Sequence, residues 1–384
     1  MVYAAPFGAG TMKILQLTRQ FLPSEGGIES VVEGLSRALQ QKGHSVEVVT
    51  LRSLFATGTM APVQSIESGL TVRRMPHWGP RRYPVAPAAL REIRGYDLVH
   101  IHAIDFFVDY LSLLRSLHRV PLVVSTHGGI FHTAWASRFK QMYFSTITRL
   151  SLSRVGAVVC VSQQDREKFE EIVSPKRIRL IENGANIDRF WSLKKKVEPG
   201  LMLGIARLAE NKRVHKVLEA MSSLKDRYPQ MRLEWVGADF AGLRGPLEQR
   251  AVELGLGDRV RFHGATSREE LYRLLERAHL FVSASAYEGF GLSTIEAMSA
   301  ATVPVVTAVG AHPDVIEHGV SGFLAAADAT DLASHLDRVL SMPAQNVATM
   351  GEAARAGTRR FSWTEISPHY ERLYRDVLHT GGPA

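Results

Sequence analysis

Residues 279–300 read His-Leu-Phe-Val-Ser-Ala-Ser-Ala-Tyr-Glu-Gly-Phe-Gly-Leu-Ser-Thr-Ile-Glu-Ala-Met-Ser-Ala. Leu280-Phe281-Val282 is a short apolar run, the pattern of a buried strand. The loop Ala286-Tyr287-Glu288-Gly289-Phe290-Gly291 follows, and residues 292–300 then read as a helix. Glu288 lies in the loop, and Glu296 lies eight positions later, one turn into the helix. The first amides of a helix lack intrahelical partners and attract an anion, and glycines let the backbone approach it closely. A carboxylate beside a phosphate is repelled unless it reaches something else, and sugar hydroxyls are the natural partners. Two acids flanking such a turn therefore point to a phosphate held between two polyols, as in a nucleotide sugar.

Outward from this stretch, strands and helices alternate in two separate runs. The first has strand patterns at residues 13–18, 45–51, 70–75, 98–101, 122–125, 157–161 and 178–181. Its first helix spans residues 28–41, with Ile28, Val31, Val32, Leu35 and Leu39 on one stripe and Gly43 as its stop. The second run begins after Lys194-Lys195-Lys196 and Pro199-Gly200. Strand patterns at 201–206, 232–236, 260–262, 280–283 and 303–307 alternate there with helical stretches at 214–224, 246–254 and 268–278. Two such runs predict two doubly wound α/β domains with parallel sheets, meeting near residues 190–200. Residues 363–378 form a last amphipathic helix through Trp363, Ile366, Tyr370, Leu373, Tyr374 and Val377. Periodicity alone allows it to close the second domain or to cross back to the first.

Composition narrows the partners. The chain has 384 residues, 45% hydrophobic and 22% charged, enough for two domains with sizeable cores. A formal net charge of +8 favours a phosphorylated substrate or an anionic membrane face. No nucleic-acid-binding motif accompanies the basic patches, so no nucleic-acid partner is expected. Cys160 is the single cysteine, which excludes an intramolecular disulfide and fits a reducing compartment. Residues 1–12 lack the apolar core of a signal peptide, and no apolar run reaches the roughly 18 residues of a membrane span. A membrane would be met only at its surface.

Further candidates sit at strand ends. Arg207 and Lys212 follow the first strand of the second run, where open α/β sheets bind ligands, and their cations suit a diphosphate. Gly26-Gly27 closes the first strand-to-helix loop and can approach a phosphate or sugar. His127 ends another strand beside Gly128-Gly129. His100 and His102 alternate along a strand with no third metal ligand in view. No Asp-x-Asp occurs, so no carboxylate-bound metal is expected at the phosphate. Residues 135–150 place Trp135, Phe139, Met142, Tyr143, Ile147 and Leu150 on one helical arc, edged by Arg138, Arg149 and Lys140. That arc suits either a helix packed on the sheet or one lying in a membrane interface with its cations reaching headgroups. Residues 73–82, ending in Arg81 and Arg82, add a basic patch with Trp78 predicted to be exposed.

Together, Glu288 and Glu296, the Gly289-Phe290-Gly291 turn, Gly26-Gly27, His127, Arg207 and Lys212 resemble the retaining glycosyltransferases of the GT-B fold, family four. The resemblance spans nearly the whole chain. It implies two Rossmann-like domains facing a cleft: residues 1–192 on the acceptor and membrane side, and 193–362 on the donor side. Residues 363–384 would pack back on the first domain. It also implies roles: Glu288 on the donor sugar, Glu296 on the ribose, Arg207 and Lys212 on the diphosphate. Gly26, Gly27, Phe290, Gly291 and Leu292 would line the donor, and His127 would touch the transferred sugar. One departure is Ala206-Arg207 where the family has Gly-Arg.

Residues 82–87, 102–110 and 125–134 are similar, more narrowly, to α-mannosyltransferases of xanthan- and acetan-type exopolysaccharide pathways. That likeness implies GDP-mannose as donor and a polyprenyl-diphosphate-linked cellobiose as acceptor. It also implies α-1,3 transfer on the cytoplasmic face of the membrane, without metal or other cofactor. Two other readings stay open on the residues alone. One is a family-four transferase with another donor such as UDP-glucose. The other is a non-catalytic module that binds sugar nucleotides.

Overall fold

The computed structural model of the protein describes residues 10–24, 26–81, 83–128 and 141–380. Short apolar runs pair side by side into two sheets. The first comprises β1 (Lys13–Leu17), β2 (Ser45–Leu51), β3 (Gln64–Glu67), β4 (Leu70–Met75), β5 (Leu98–His102), β6 (Leu122–Ser125), β7 (Ala157–Cys160) and β8 (Ile178–Leu180). Their order is β3-β4-β2-β1-β5-β6-β7-β8, parallel except for β3. The second comprises β9 (Leu201–Ile205), β10 (Arg232–Val236), β11 (Val260–Gly264), β12 (Leu280–Ser283), β13 (Val303–Thr307) and β14 (Phe323–Ala325). It is parallel, in the order β11-β10-β9-β12-β13-β14. β3 and β14 are additions to the sequence reading. β3 is a partly exposed, polar edge strand and β14 has three residues, so neither carries a hydrophobic signal of useful length.

Strand order reverses between β1 and β5 in the first sheet and between β9 and β12 in the second. At such a switch point the neighbouring strand-to-helix loops diverge and leave a crevice at the carboxyl ends. The loop after β1 carries Gly26-Gly27, and the one after β6, next to β5, carries His127. The loop after β9 carries Arg207 and Lys212, and the one after β12 carries Glu288. Two sheets with aligned crevices thus bring together residues far apart in sequence.

The helix Trp363–His379 crosses back to the first sheet. Ile366, Tyr370, Leu373, Tyr374 and Val377 join Met12, Ile14, Leu35, Leu39, Val123 and Val159 in one buried cluster. Its entry is fixed by shape. A methyl on Gly34 would lie 2.1 Å from the Trp363 ring, and one on Gly184 would lie 2.5 Å from the same ring. Two glycines therefore form the slot that takes the indole. Beside it the Ala185 amide donates to the Phe361 carbonyl at 2.8 Å, so the two crossings between domains run side by side.

Candidate active site

Glu288 is largely buried, and its Oε1 accepts from the Ser285 hydroxyl at 2.7 Å and from the Lys212 ammonium. Burial alone pushes this carboxyl up. The Lys212 ammonium, then the His312 ring and the two hydrogen bonds, outweigh it and hold the group below its usual range. Lys212 is therefore paired with Glu288 across the switch point. The pairing is set by the backbone, because the Ala286 amide donates to the Asn211 carbonyl at 2.7 Å. Arg207 is exposed and makes no hydrogen bond or ion pair among the described residues. The structure thus separates two cations that the sequence reading treated alike.

Gly291 has φ +81°, a conformation that L side chains rarely adopt, and a methyl there would lie 3.0 Å from the His312 ring. It turns the chain into the helix Leu292–Ser299, which has no side-chain cap. No side chain caps the first amides of this helix, those of Leu292 and Ser293. His312 braces this start. Its Nδ1 donates to the Thr307 carbonyl at 2.8 Å, so its Nε2 accepts from the Thr294 hydroxyl at 3.0 Å. The carboxyl of Glu296, half-buried one turn on, has no hydrogen-bond partner among the described residues, and burial pushes it up to about 7. Phe290 is a correction. Its ring sits in the core, edge-on to Phe361 at 5.5 Å, so only its backbone remains at the turn.

The first domain faces this turn with a second helix start. Gly26 precedes the helix Gly27–Gln41 in an extended conformation, again without a side-chain cap. A methyl on Gly27 would lie 3.6 Å from Leu292 Cδ1, so the two helix starts converge across the cleft. The Glu29 carboxyl folds back over its own helix start, where a methyl on Gly26 would lie 2.4 Å from its Oε2. Burial raises its carboxyl, while its own backbone amide, Arg207 and Arg19 pull the other way. Arg19 is held by Asp105 at 3.1 Å. The halves touch where the Tyr287 hydroxyl donates to the Gly128 carbonyl, and a methyl on Gly128 would lie 2.9 Å from Gly289 Cα.

His127 has φ +48°, an uncommon conformation for a side-chain-bearing residue. Asp165 holds it there by accepting from the Thr126 hydroxyl and the Gly128 amide. Its Nε2 lies 2.9 Å from His102 Nδ1, and burial pushes the ring down to about 4, so it is neutral at working pH. His102, passed over as half of an incomplete metal pair, is thus the direct neighbour of His127. β5 and β6 pair in parallel with His102 opposite Ser125, two residues before His127, so the rings meet only through strand pairing that the sequence does not show. Among the described residues no cluster of three or more histidine, cysteine or carboxylate side chains is arranged as a metal site.

The chain as a whole is similar to known proteins. The family descriptions "Glycosyltransferase Family 4" and "Glycosyl transferases group 1" match residues 25–189 and 186–357. A GDP-mannose:cellobiosyl-diphosphopolyprenol alpha-mannosyltransferase of Xanthomonas oryzae pv. oryzae is 36% identical, over 96% of this chain and 97% of that protein. The protein of the same name from Komagataeibacter xylinus is 33% identical, over 97% of this chain and 95% of its own. The chain is a family 4 glycosyltransferase. Sucrose-phosphate synthase of Thermosynechococcus elongatus superposes with a TM-score of 0.80 at 22% identity, covering 96% of this chain and 100% of that one. HepE of Anabaena, solved with UDP, gives 0.76 at 20% identity, covering 95% and 100%. The glycosyltransferase therefore has the GT-B fold.

The expected membrane-side residues fare differently. Trp135, Arg138, Phe139, Lys140 and Arg82 lie outside the described residues. Arg81 is exposed, with its guanidinium 6.0 Å from the Phe55 ring, and Trp78 is 63% exposed. Arg73 and Arg74 add no surface charge. Arg74 is buried on the Leu22 and Pro62 carbonyls, and Arg73 pairs with Glu47 and Glu92. The arc is also rearranged. A π-turn at Phe144–Thr148 shifts the helical phase, so a wheel drawn at 3.6 residues per turn misplaces side chains beyond it. Tyr143 turns inward to Asp109 and Phe144 is buried, while Met142, Ile147 and Leu150 face outward beside Arg149. Leu113 and Leu117 are exposed as well.

Proposed function

We propose that this glycosyltransferase moves an α-mannosyl group from GDP-mannose to a cellobiose carried on a polyprenyl diphosphate, as a step of exopolysaccharide synthesis. The observation that supports this reading best is 33–36% identity, along nearly the whole chain, to proteins bearing that activity in their names. The likeness includes the first domain, where this reading places the acceptor.

The reaction is a front-face substitution with retention. The bond from C1 of mannose to the phosphate oxygen breaks as the acceptor hydroxyl bonds C1 on the same face. The hydroxyl proton passes to the departing diphosphate. The two facing helix starts and Arg207 stabilise the charge of that diphosphate. Glu288 orients the sugar, His127 contacts it, and Glu296 binds the ribose hydroxyls. Radiolabelled transfer to cellobiosyl-diphosphate lipid from a panel of GDP-mannose, GDP-glucose, UDP-glucose and UDP-galactose tests the reading. Preference for GDP-mannose by kcat/KM is expected, and preference for a UDP-sugar overturns the donor assignment.

Three consequences are measurable. With cations and helix starts taking the phosphate charge, activity is expected to persist in EDTA. Loss in EDTA that magnesium restores would count against metal independence. Glu296 accepts ribose hydroxyls best as an anion, yet burial raises its carboxyl to about 7. Donor binding should then release a proton below that pH, and KM for the donor should rise as pH falls through 7. Calorimetry in buffers of different ionisation enthalpy checks this, and Glu296→Gln should abolish the proton release. The same shift acts on folding. A carboxyl raised from 4.5 is favoured in its protonated folded form, so its contribution fades as pH rises through about 7.

The protein works on the membrane surface in this reading. No helix of the described residues is long and apolar enough to cross a membrane. Leu113, Leu117, Met142, Ile147 and Leu150 with Arg149 form the docking face on anionic lipid. Ile147→Ser/Leu150→Ser should reduce co-sedimentation with phosphatidylglycerol vesicles, and undiminished binding would remove the assignment.

A further inference from the structure

Gln16, His102 and His127 form a chain along which every proton can be placed. His102 Nε2 lies 2.7 Å from Gln16 Oε1, an atom that only accepts. His102 therefore carries its proton on Nε2. Its Nδ1 is then a bare lone pair, 2.9 Å from His127 Nε2, so the proton between the rings belongs to His127. That leaves His127 Nδ1 as an acceptor. The rings stack at 5.2 Å between centroids with an angle of 21°, which fixes the orientation as well as the protonation.

Gln16 is fully buried and has few ways to turn. Its Nε2 faces the Tyr374 hydroxyl of the C-terminal helix, and that hydroxyl lies 2.7 Å from His100 Nδ1. Among the described residues the Gln16 Nε2 contact falls short of a full hydrogen bond. Turning the amide over would reverse every proton in the chain. Gln16 would donate to His102, His102 to His127, and His127 would present an N–H where it now presents a lone pair. A sugar hydroxyl can meet either one, but the geometry of the resulting bond differs.

We propose that Gln16 and His102 are positioning residues that lock His127 in its Nε2–H tautomer, so that the Nδ1 lone pair accepts a hydrogen bond from a hydroxyl of the transferred sugar. The role toward sugar rests on the reading of His127 given above, whereas the tautomer lock stands on the three side chains themselves. Burial keeps both rings neutral, so no second proton scrambles the order at working pH.

The test is spectroscopic and needs no substrate. Histidine-selective ¹⁵N labelling of the full chain, read by two-bond ¹H–¹⁵N correlation, reports the tautomer of each ring. His102→Asn and His127→Asn spectra assign the signals. Both rings are expected as Nε2–H from about pH 6 to 8. A His127 ring protonated on Nδ1 overturns the proposal. Gln16→Met removes the acceptor without adding charge. Mixed tautomers at His127 are expected there, with kcat lowered roughly 10–100-fold, the usual scale for losing an outer partner that orients a histidine. An unchanged tautomer with unchanged kcat would equally overturn the lock. Should Gln16→Met fail to fold, the parent spectrum alone still decides the order of protons. Should the spectrum be as expected while GDP-mannose is not turned over, the donor assignment fails and the lock does not.

Discussion

Glu288→Ala is expected to lower kcat by a factor of about a hundred or more, the scale of losing one preorganised electrostatic group. The argument lies in how the carboxylate is held. It is largely buried, anchored by Ser285 and Lys212, and kept ionised in a place where burial alone would neutralise it. A group held that firmly has lost its freedom before substrate arrives, and what it orients is oriented at no further entropic cost. Removing it also leaves the Lys212 ammonium partly buried without its partner. Glu288→Gln separates the two effects, because it keeps a hydrogen-bonding head of the same size while losing charge. Steady-state kinetics of transfer check both, and near-normal kcat in folded Glu288→Ala would sink the assignment.

Arg207→Ala is expected to cost a similar factor, roughly a hundredfold, but with a different signature. Arg207 is exposed and unpaired among the described residues, so truncation should move stability by no more than about 0.5 kcal/mol. Thermal unfolding should be nearly unchanged while kcat falls and inhibition by GDP weakens. Arg207→Lys should recover part of the loss, since a point charge remains but the forked grip does not. A large drop in melting temperature would mean that Arg207 is structural.

Much of this molecule could be read before its structure. Most strands are short and rich in apolar residues, so β1, β2, β6, β9 and β12 are visible in the sequence. Glycines marked the turns because only they tolerate the conformation at Gly291 or the contact between Gly128 and Gly289. Pairings across strands were less legible. Lys212 and Glu288 are 76 residues apart and meet only because β9 neighbours β12. Gln16 and His102 are 86 apart and meet because β1 neighbours β5. Tyr143 leaves the apolar arc because its hydroxyl donates to Asp109, 34 residues away, a pairing that local sequence does not signal. Phe290, expected to line the donor, offers only its backbone there. The turn needs its backbone, and the core takes its ring.

The crossing helix has a consequence for biosynthesis. Residues 363–379 are made after the whole second domain, yet they cover apolar groups of β1, β6 and β7 and of the first helix. Until they emerge, Ile14, Leu39, Val123 and Val159 lack that cover. Chains usually complete their domains in the order of synthesis. Here the order is inverted: the half that is translated second is the first that can finish, and the first half waits for its own last layer.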